Sequence, residues 1–453
     1  MIGSLITIAV ILVVYGAVSK PLDARGITSA MIFTTAGFVA GTSALKLVNI
    51  HIESKAAERF VELALVFLLF SDSTRIDLAR LRQHLGWPSR LLLIGLPLTI
   101  LAGLGAGLLV FPGIALASAF VLSTMVCSTD AALAQTIVSD KSVPARVRQA
   151  LDVESGLNDG LGVPFFLVAV DLSLARLSSG VTSAVVRNMA EQIGWGLAAG
   201  IGAGTLAGLL LRAADDRGWL EGQWRQILPL LAALLAYLIA LKLGGSGFIA
   251  AFTGGMAFGY VSRRHDLQVT SLNEDVGGTL AGTTWVGFGA LAVSMLLPHV
   301  TWQIVAYAAL SLTLVRMVPV AIAMLRTGAG LPTVAFMGWF GPRGLASIVF
   351  ATIALDDGIP DTQRLLTTVM MTILMSVFLH GLSSVPLVAA YSRWYKAHVA
   401  KHPSASEAKP TIMSRLRHHA TPEETEPATT QQRPPTTPAP SSPSPARSGA
   451  DAR

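Results

Sequence analysis

Leu151-Asp-Val-Glu-Ser-Gly-Leu-Asn-Asp-Gly160 places three acids, Asp152, Glu154 and Asp159, at the head of a segment that is otherwise apolar through Val170. Read as a helix, the decamer sets Glu154 over Asn158 and Ser155 over Asp159, each pair four residues apart on one face. Around it the chain of 453 residues is 52% hydrophobic and only 13% charged, with a mean hydropathy of +0.59. A soluble domain carries about 25% charged residues, so the composition is that of an all-α polytopic membrane protein. A carboxylate at bilayer depth costs about 2.5–3.5 kcal/mol on insertion scales. That cost makes the decamer the candidate ion site.

Apolar stretches of about 17–25 residues number thirteen. They run near 3–19, 27–45, 58–74, 89–111, 113–139, 150–175, 188–211, 225–243, 245–262, 277–297, 301–325, 332–355 and 363–391. Alternate loops hold fifteen lysines and arginines against seven, and basic loops stay cytoplasmic. The expected topology therefore has the N-terminus outside and the C-terminus inside. This loop asymmetry accounts for the net charge of +6 and the pI near 9.6 without a nucleic-acid partner. Lone Cys127 excludes a disulfide framework and thiolate metal clusters and reads as core packing. Met1–Ser19 lacks a basic n-region and an A-x-A site, so it reads as the first span.

Two spans are interrupted. The fifth carries Val126-Cys-Ser-Thr-Asp130 at its middle, where polar residues that compete for the backbone predict a break lining a cavity. The twelfth carries Gly341-Pro-Arg-Gly344, another break signal. Arg343 sits midway along that span and needs a carboxylate or a set of carbonyls; Glu154 is the expected partner. Arg316, late in the eleventh span, reads as snorkelling toward the cytoplasmic side. Matching interrupted spans in two halves point to inverted repeats with a midplane ion site.

Other polar residues have plainer readings. The third span closes on Phe67-Leu-Leu-Phe-Ser-Asp-Ser-Thr-Arg-Ile-Asp77, with Asp72 and Asp77 at a helix end beside Arg75 and Arg80. Pro164 can kink the sixth span. Glycines and alanines along 194–211 suit close helix packing. Asn273, Glu274 and Asp275 read as solvated, His265 as a loop residue and His380 as a packing histidine. Residues 1–395 form the transmembrane domain, its site built from spans near 113–139, 150–175 and 332–355. Ten of the 23 prolines lie beyond 401, and 396–453 reads as a disordered cytoplasmic tail with no nucleotide fold.

A buried carboxylate with hydroxyls and carbonyls beside it can take a proton or a hard cation, and competition between the two is sufficient for exchange. Asp159 with Ser155 and Thr129 fits that description. Glu154, Asn158 and Arg343 fit a supporting role. Asn158 in place of a second titrating acid leaves one principal exchanging carboxylate, so one proton against one cation moves no net charge.

Ser-Thr-Asp130, Glu154-Ser-Gly-Leu-Asn-Asp159 and Gly-Pro-Arg-Gly344 resemble motifs of the cation/proton antiporter-1 family, in its NhaP-type bacterial sodium/proton branch. The third-span stretch through Asp77 is similar to another of its motifs, and the resemblance covers about 1–395. It implies thirteen helices, crossing unwound helices, a homodimer and elevator-like alternating access. Carried over by residue, it makes Asp159 the carrier of cation and proton, and Thr129 and Ser155 ligands of a monovalent cation, with Asp130 and Asp72 as further acids of the cation- and proton-binding set. It makes Asp130 the compensator of helix dipoles at the crossing, pairs Glu154 with an arginine and has Asn158 hold that pair. It implies Na+ first, with Li+ or K+ as alternatives, no cofactor and no enzymatic activity. The rival reading is a transporter coupling protons or sodium to another small solute. A membrane protease would want paired aspartates, His-Glu-x-x-His or a Ser/His dyad with an oxyanion hole, and none is visible.

Overall fold

The computed structural model describes residues 2–23, 25–42, 44–48, 55–74, 86–175, 183–262, 270–296 and 298–408. Among them every regular element is helical. In chain order these are α1 (Ile2–Asp23), α2 (Ser29–Ala40), α3 (Lys55–Thr74) and α4 (Trp87–Val110). Next come α5 (Leu116–Met125), α6 (Ala131–Ser139), α7 (Ala145–Ala175), α8 (Ser183–Asp216), α9 (Gly222–Lys242) and α10 (Gly247–Ser262). The last are α11 (Ser271–Leu296), α12 (Trp302–Ala323), α13 (Leu331–Trp339), α14 (Leu345–Asp356) and α15 (Thr362–Lys401). Seven of these described helices, α1, α4, α7, α8, α9, α12 and α15, are long and apolar enough to cross a membrane. The chain is a multi-pass membrane protein. Residues 1–411 form one unit, and the second unit, 412–453, lies outside the described residues.

Both expected breaks are present. α5 and α6 are separated by irregular backbone over 126–130, and α13 and α14 by 340–344. A third interruption falls at Thr313 within α12, where φ −111° and ψ −98° leave helical space. Pro164 does not divide α7, which runs unbroken for 31 residues.

The small-residue pattern at 194–211 serves close packing. A Cβ on Gly200 would lie 2.4 Å from the Ala250 carbonyl oxygen, and one on Gly204 would lie 2.1 Å from that of Gly254. Backbones of α8 and α10 are thus in contact at spacing i, i+4, which only glycine allows.

Three expectations are corrected. Asn273, read as solvated, is in the first turn of α11 and fully buried, and Ser71 at the end of α3 donates to Glu274 at 3.2 Å. Residues 396–408, read as the start of the tail, are helix to Lys401 and then a packed turn at Ser406–Ala408. Arg316, read as snorkelling, is buried. His380 is a buried packing histidine, stacked on Trp339 with ring centroids 5.0 Å apart. Cys127 is buried too. Asp77, Arg75, Arg80 and His265 lie outside the described residues.

Candidate functional site

Two broken helices cross, and one carboxylate joins them. α5 ends where Ser128, Thr129 and Asp130 offer their own hydrogen-bonding groups, and Asp130 restarts the helix as the N-cap of α6. Its Oδ1 accepts from the Leu133 N–H at 3.0 Å. Its Oδ2 accepts from the Leu345 N–H at 2.9 Å, at the head of α14. Its own N–H donates to the Pro342 carbonyl at 2.8 Å. The positive ends of two helices therefore share one negative charge, each such contact contributing up to about 2 kcal/mol when partly buried. Gly344 makes this approach available: a Cβ there would lie 1.9 Å from Asp130 Oδ2. Asp130 was expected both as a dipole compensator and among the cation-binding acids; its two oxygens face the two helix ends.

The opposite poles are met by arginine. Arg343 is fully buried, and its Nη1 donates to the carbonyls of Cys127 at 2.8 Å and Ser128 at 3.1 Å. These oxygens follow the end of α5, where the dipole is negative. Its N–H donates to Ser376 Oγ at 2.6 Å. Glu154 is not its partner. Arg316 Nη1 and Nη2 donate to Glu154 Oε1 and Oε2 at 2.5 and 2.8 Å, with side-chain exposures of 3% and 2%. The break at Thr313 precedes Arg316 and Gly341 leaves room for it, since a Cβ there would lie 2.4 Å from Arg316 Nε. Arg343 leaves the second break over the end of α5, so carbonyls meet its Nη1 while Nε and Nη2 are buried without a hydrogen-bond partner.

Asn158 also differs from its expected place. Rather than bracing Glu154, it clamps the first break: its Oδ1 accepts from the Thr129 N–H at 3.0 Å and its Nδ2 donates to Thr129 Oγ1 at 2.6 Å. Thr129 Oγ1 is in turn 3.1 Å from Ser155 Oγ. Thr129, Ser155 and Asn158 are therefore one hydrogen-bonded group beside Asp159 on α7.

Asp159 Oδ1 is buried with no close hydrogen bond, and the buried Ser128 hydroxyl acts on the Asp159 carboxylate. An orphaned carboxylate oxygen in a protein interior is costly, and a hard cation or a proton would satisfy it. Asp130 and Asp72 both act electrostatically on Asp159. Asp72 reaches α7 at Gly156, where a Cβ would lie 3.6 Å from the Asp72 Cβ. Among the described residues no three His, Cys, Asp or Glu side chains converge as a metal-holding group.

The snorkelling reading of Arg316 misses its pairing with Glu154 although the signal was there. Arg316 is a charge inside an apolar span, the same feature that singled out Arg343. Glu407, buried beyond the last helix, carried no such signal.

A family profile described as "Sodium/hydrogen exchanger, transmembrane" matches residues 7–390. The chain is 24% identical over 384 residues to the "K(+)/H(+) antiporter NhaP" of Alkalimonas amylolytica, covering 84% of this chain and 64% of that protein. It is 26% identical over 394 residues to the "K(+)/H(+) antiporter NhaP2" of Shewanella baltica, covering 84% and 66%. The chain thus spans just under two thirds of the length of these curated relatives. Among solved structures, the sodium proton antiporter MjNhaP1 from Methanocaldococcus jannaschii at pH 8 superposes with a TM-score of 0.68 at 20% identity. That alignment covers 84% of this chain and 98% of the archaeal one, a likeness of fold.

Proposed function

Since the chain belongs to the transmembrane sodium/hydrogen exchanger family, we propose that it is a secondary active antiporter exchanging a monovalent cation for a proton. The observation that carries this reading is the buried Asp159 Oδ1 with no close hydrogen bond, one helical turn along α7 from Ser155, whose hydroxyl meets Thr129 at the break of α5 and α6. Either a proton or a cation completes that oxygen, and neither can do so while the other is there. Thr129, Ser155 and the freed backbone supply neutral ligands, and Asp72 adds negative charge nearby. Asp130, Arg343 and the Glu154–Arg316 pair fix the crossing, and Asn158 fixes Thr129.

One carboxylate changing occupant gives one cation for one proton and moves no net charge. Na+ is the first candidate, with K+ or Li+ as alternatives; two relatives carry K+ in their names and the archaeal neighbour sodium. The site faces each side in turn by elevator-like movement of the elements around the two breaks. The expected assembly is a homodimer in a bacterial cell membrane, with thirteen spans in inverted repeats, the N-terminus outside and the C-terminus cytoplasmic.

The test uses purified protein in liposomes with a trapped pH dye and an imposed proton gradient. Sodium, lithium and potassium are added in turn, with the membrane potential clamped and then released. Dye recovery with one cation, unaltered by clamping, supports electroneutral exchange and names the ion. No response to any of the three would overturn the reading in favour of a solute-coupled transporter.

A further inference from the structure

We propose that Glu407 is a positioning residue for exchange, holding the first turn of α13 so that the second break meets the first in register. This rests on the exchange reading above. After α15 the chain folds back, and Ser406–Ala408 form a 3-10 turn in which Glu407 is only 2% exposed. Its Oε1 accepts from the Gly330 N–H at 2.7 Å and from Thr333 Oγ1 at 2.8 Å. Gly330 is the N-cap of α13, and it has no side chain with which to cap the helix. From far along the chain Glu407 supplies an acceptor for the N–H of the N-cap residue itself and for the Thr333 hydroxyl, and a negative charge at the positive helix end.

The neighbouring residue anchors the same turn to a second helix. Arg146 Nη1, in the first turn of α7, donates to the Ser406 carbonyl at 2.6 Å and to Ser406 Oγ at 2.8 Å. The Arg146 guanidinium also lies 4.2 Å above the Trp87 ring at the start of α4. Two consecutive residues therefore tie the start of the helix bearing Asp159 to the start of a crossing helix.

A carboxylate is an expensive way to fill space. Glu407 Oε2 is buried without a hydrogen-bond partner, a cost that an amide or an apolar residue would lessen. What only the carboxylate adds is charge at an uncapped helix end. From there α13 is a rod of 9 residues, about 14 Å long at 1.5 Å per residue. At its far end stand Gly341 against Arg316, the Pro342 carbonyl that accepts from Asp130, and Arg343 on the end of α5. A loosened first turn moves all three.

The experiment compares the wild-type full chain with Glu407→Gln and Glu407→Ala in liposomes. It records cation KM, maximal rate and pH profile, and hydrogen exchange of the 330–343 amides in the same samples. We expect Glu407→Ala to raise KM at least about threefold, shift the pH profile and speed amide exchange in 330–343 at least about tenfold. Glu407→Gln, which keeps an acceptor without the charge, should fall between it and wild type. Wild-type KM, pH profile and amide exchange in both variants would overturn the proposal, as would a fall in maximal rate alone that tracks the folded fraction. A wild-type chain that exchanges no cation for protons would overturn the antiporter reading and this proposal together. That outcome is distinct from an active wild type matched by its variants.

Discussion

Replacing Arg316 by methionine keeps a side chain of similar reach and removes the charge that meets both oxygens of Glu154. The stranded carboxylate is buried, and breaking one side of such a pair costs about 3–5 kcal/mol. Glu154→Gln alone strands the guanidinium at a similar cost. The double variant strands neither charge and should recover most of the loss, giving a coupling of at least about 2 kcal/mol in the cycle. The same cycle built on Glu154 and Arg343 should give less than about 0.5 kcal/mol, because Arg343 is held by the carbonyls of Cys127 and Ser128. Unfolding of the purified protein in mixed micelles with rising SDS, followed by tryptophan fluorescence, measures all five variants against wild type. A Glu154–Arg316 coupling below about 0.5 kcal/mol, or a larger one to Arg343, would refute the assignment and restore the pairing expected from the sequence.

Asp159→Asn should abolish cation/proton exchange in the liposome assay while the protein purifies and unfolds as wild type does, since the carrier group is lost and the fold is not. Wild-type exchange in that variant removes Asp159 from the site. Gly344→Ala drives a Cβ into Asp130, 1.9 Å from Oδ2, so activity should fall at least about tenfold with a loss of a few kcal/mol in the micelle titration, on the scale of overpacked sites. Unchanged activity and stability would mean that Asp130 does not hold α14. If cation and proton compete for one carboxylate, the apparent cation KM should rise by about tenfold per pH unit once the proton form dominates, with maximal rate unchanged. A KM independent of pH between about 5 and 8, the physiological range over which an exchanging group must change its proton, speaks against a shared site.

The breaks were legible in the sequence because each sets a recognisable misfit inside an apolar run: Ser-Thr-Asp130 in one and Gly-Pro-Arg343-Gly in the other. The decamer announced itself in the same way. Which arginine meets Glu154 was not legible, because it depends on the turn of α12 after Thr313, and Leu-Thr-Leu314 carries no breaker residue to mark that interruption. Asn158 was expected beside Glu154 from helix periodicity; its amide instead turns outward to a different chain segment, where Thr129 offers both a donor and an acceptor. Periodicity gives the face of a helix and says nothing of what that face meets. Asn273 and Glu407 lie in polar stretches that read as solvent-facing; Asn273 is buried beside Glu274, which Ser71 of α3 reaches, and Glu407 is removed from water by its contact with α13.

Asp130 and Gly344 have a consequence for heredity. The acid at 130 needs a neighbour with no side chain at 344, and the bare position at 344 is useful only while an acid reaches across to it. Substitution at either site alone leaves a clash or an unmet helix end. Among descendants of this chain the two positions should change together or not at all, so a line that has drifted at both has rebuilt its crossing on other groups.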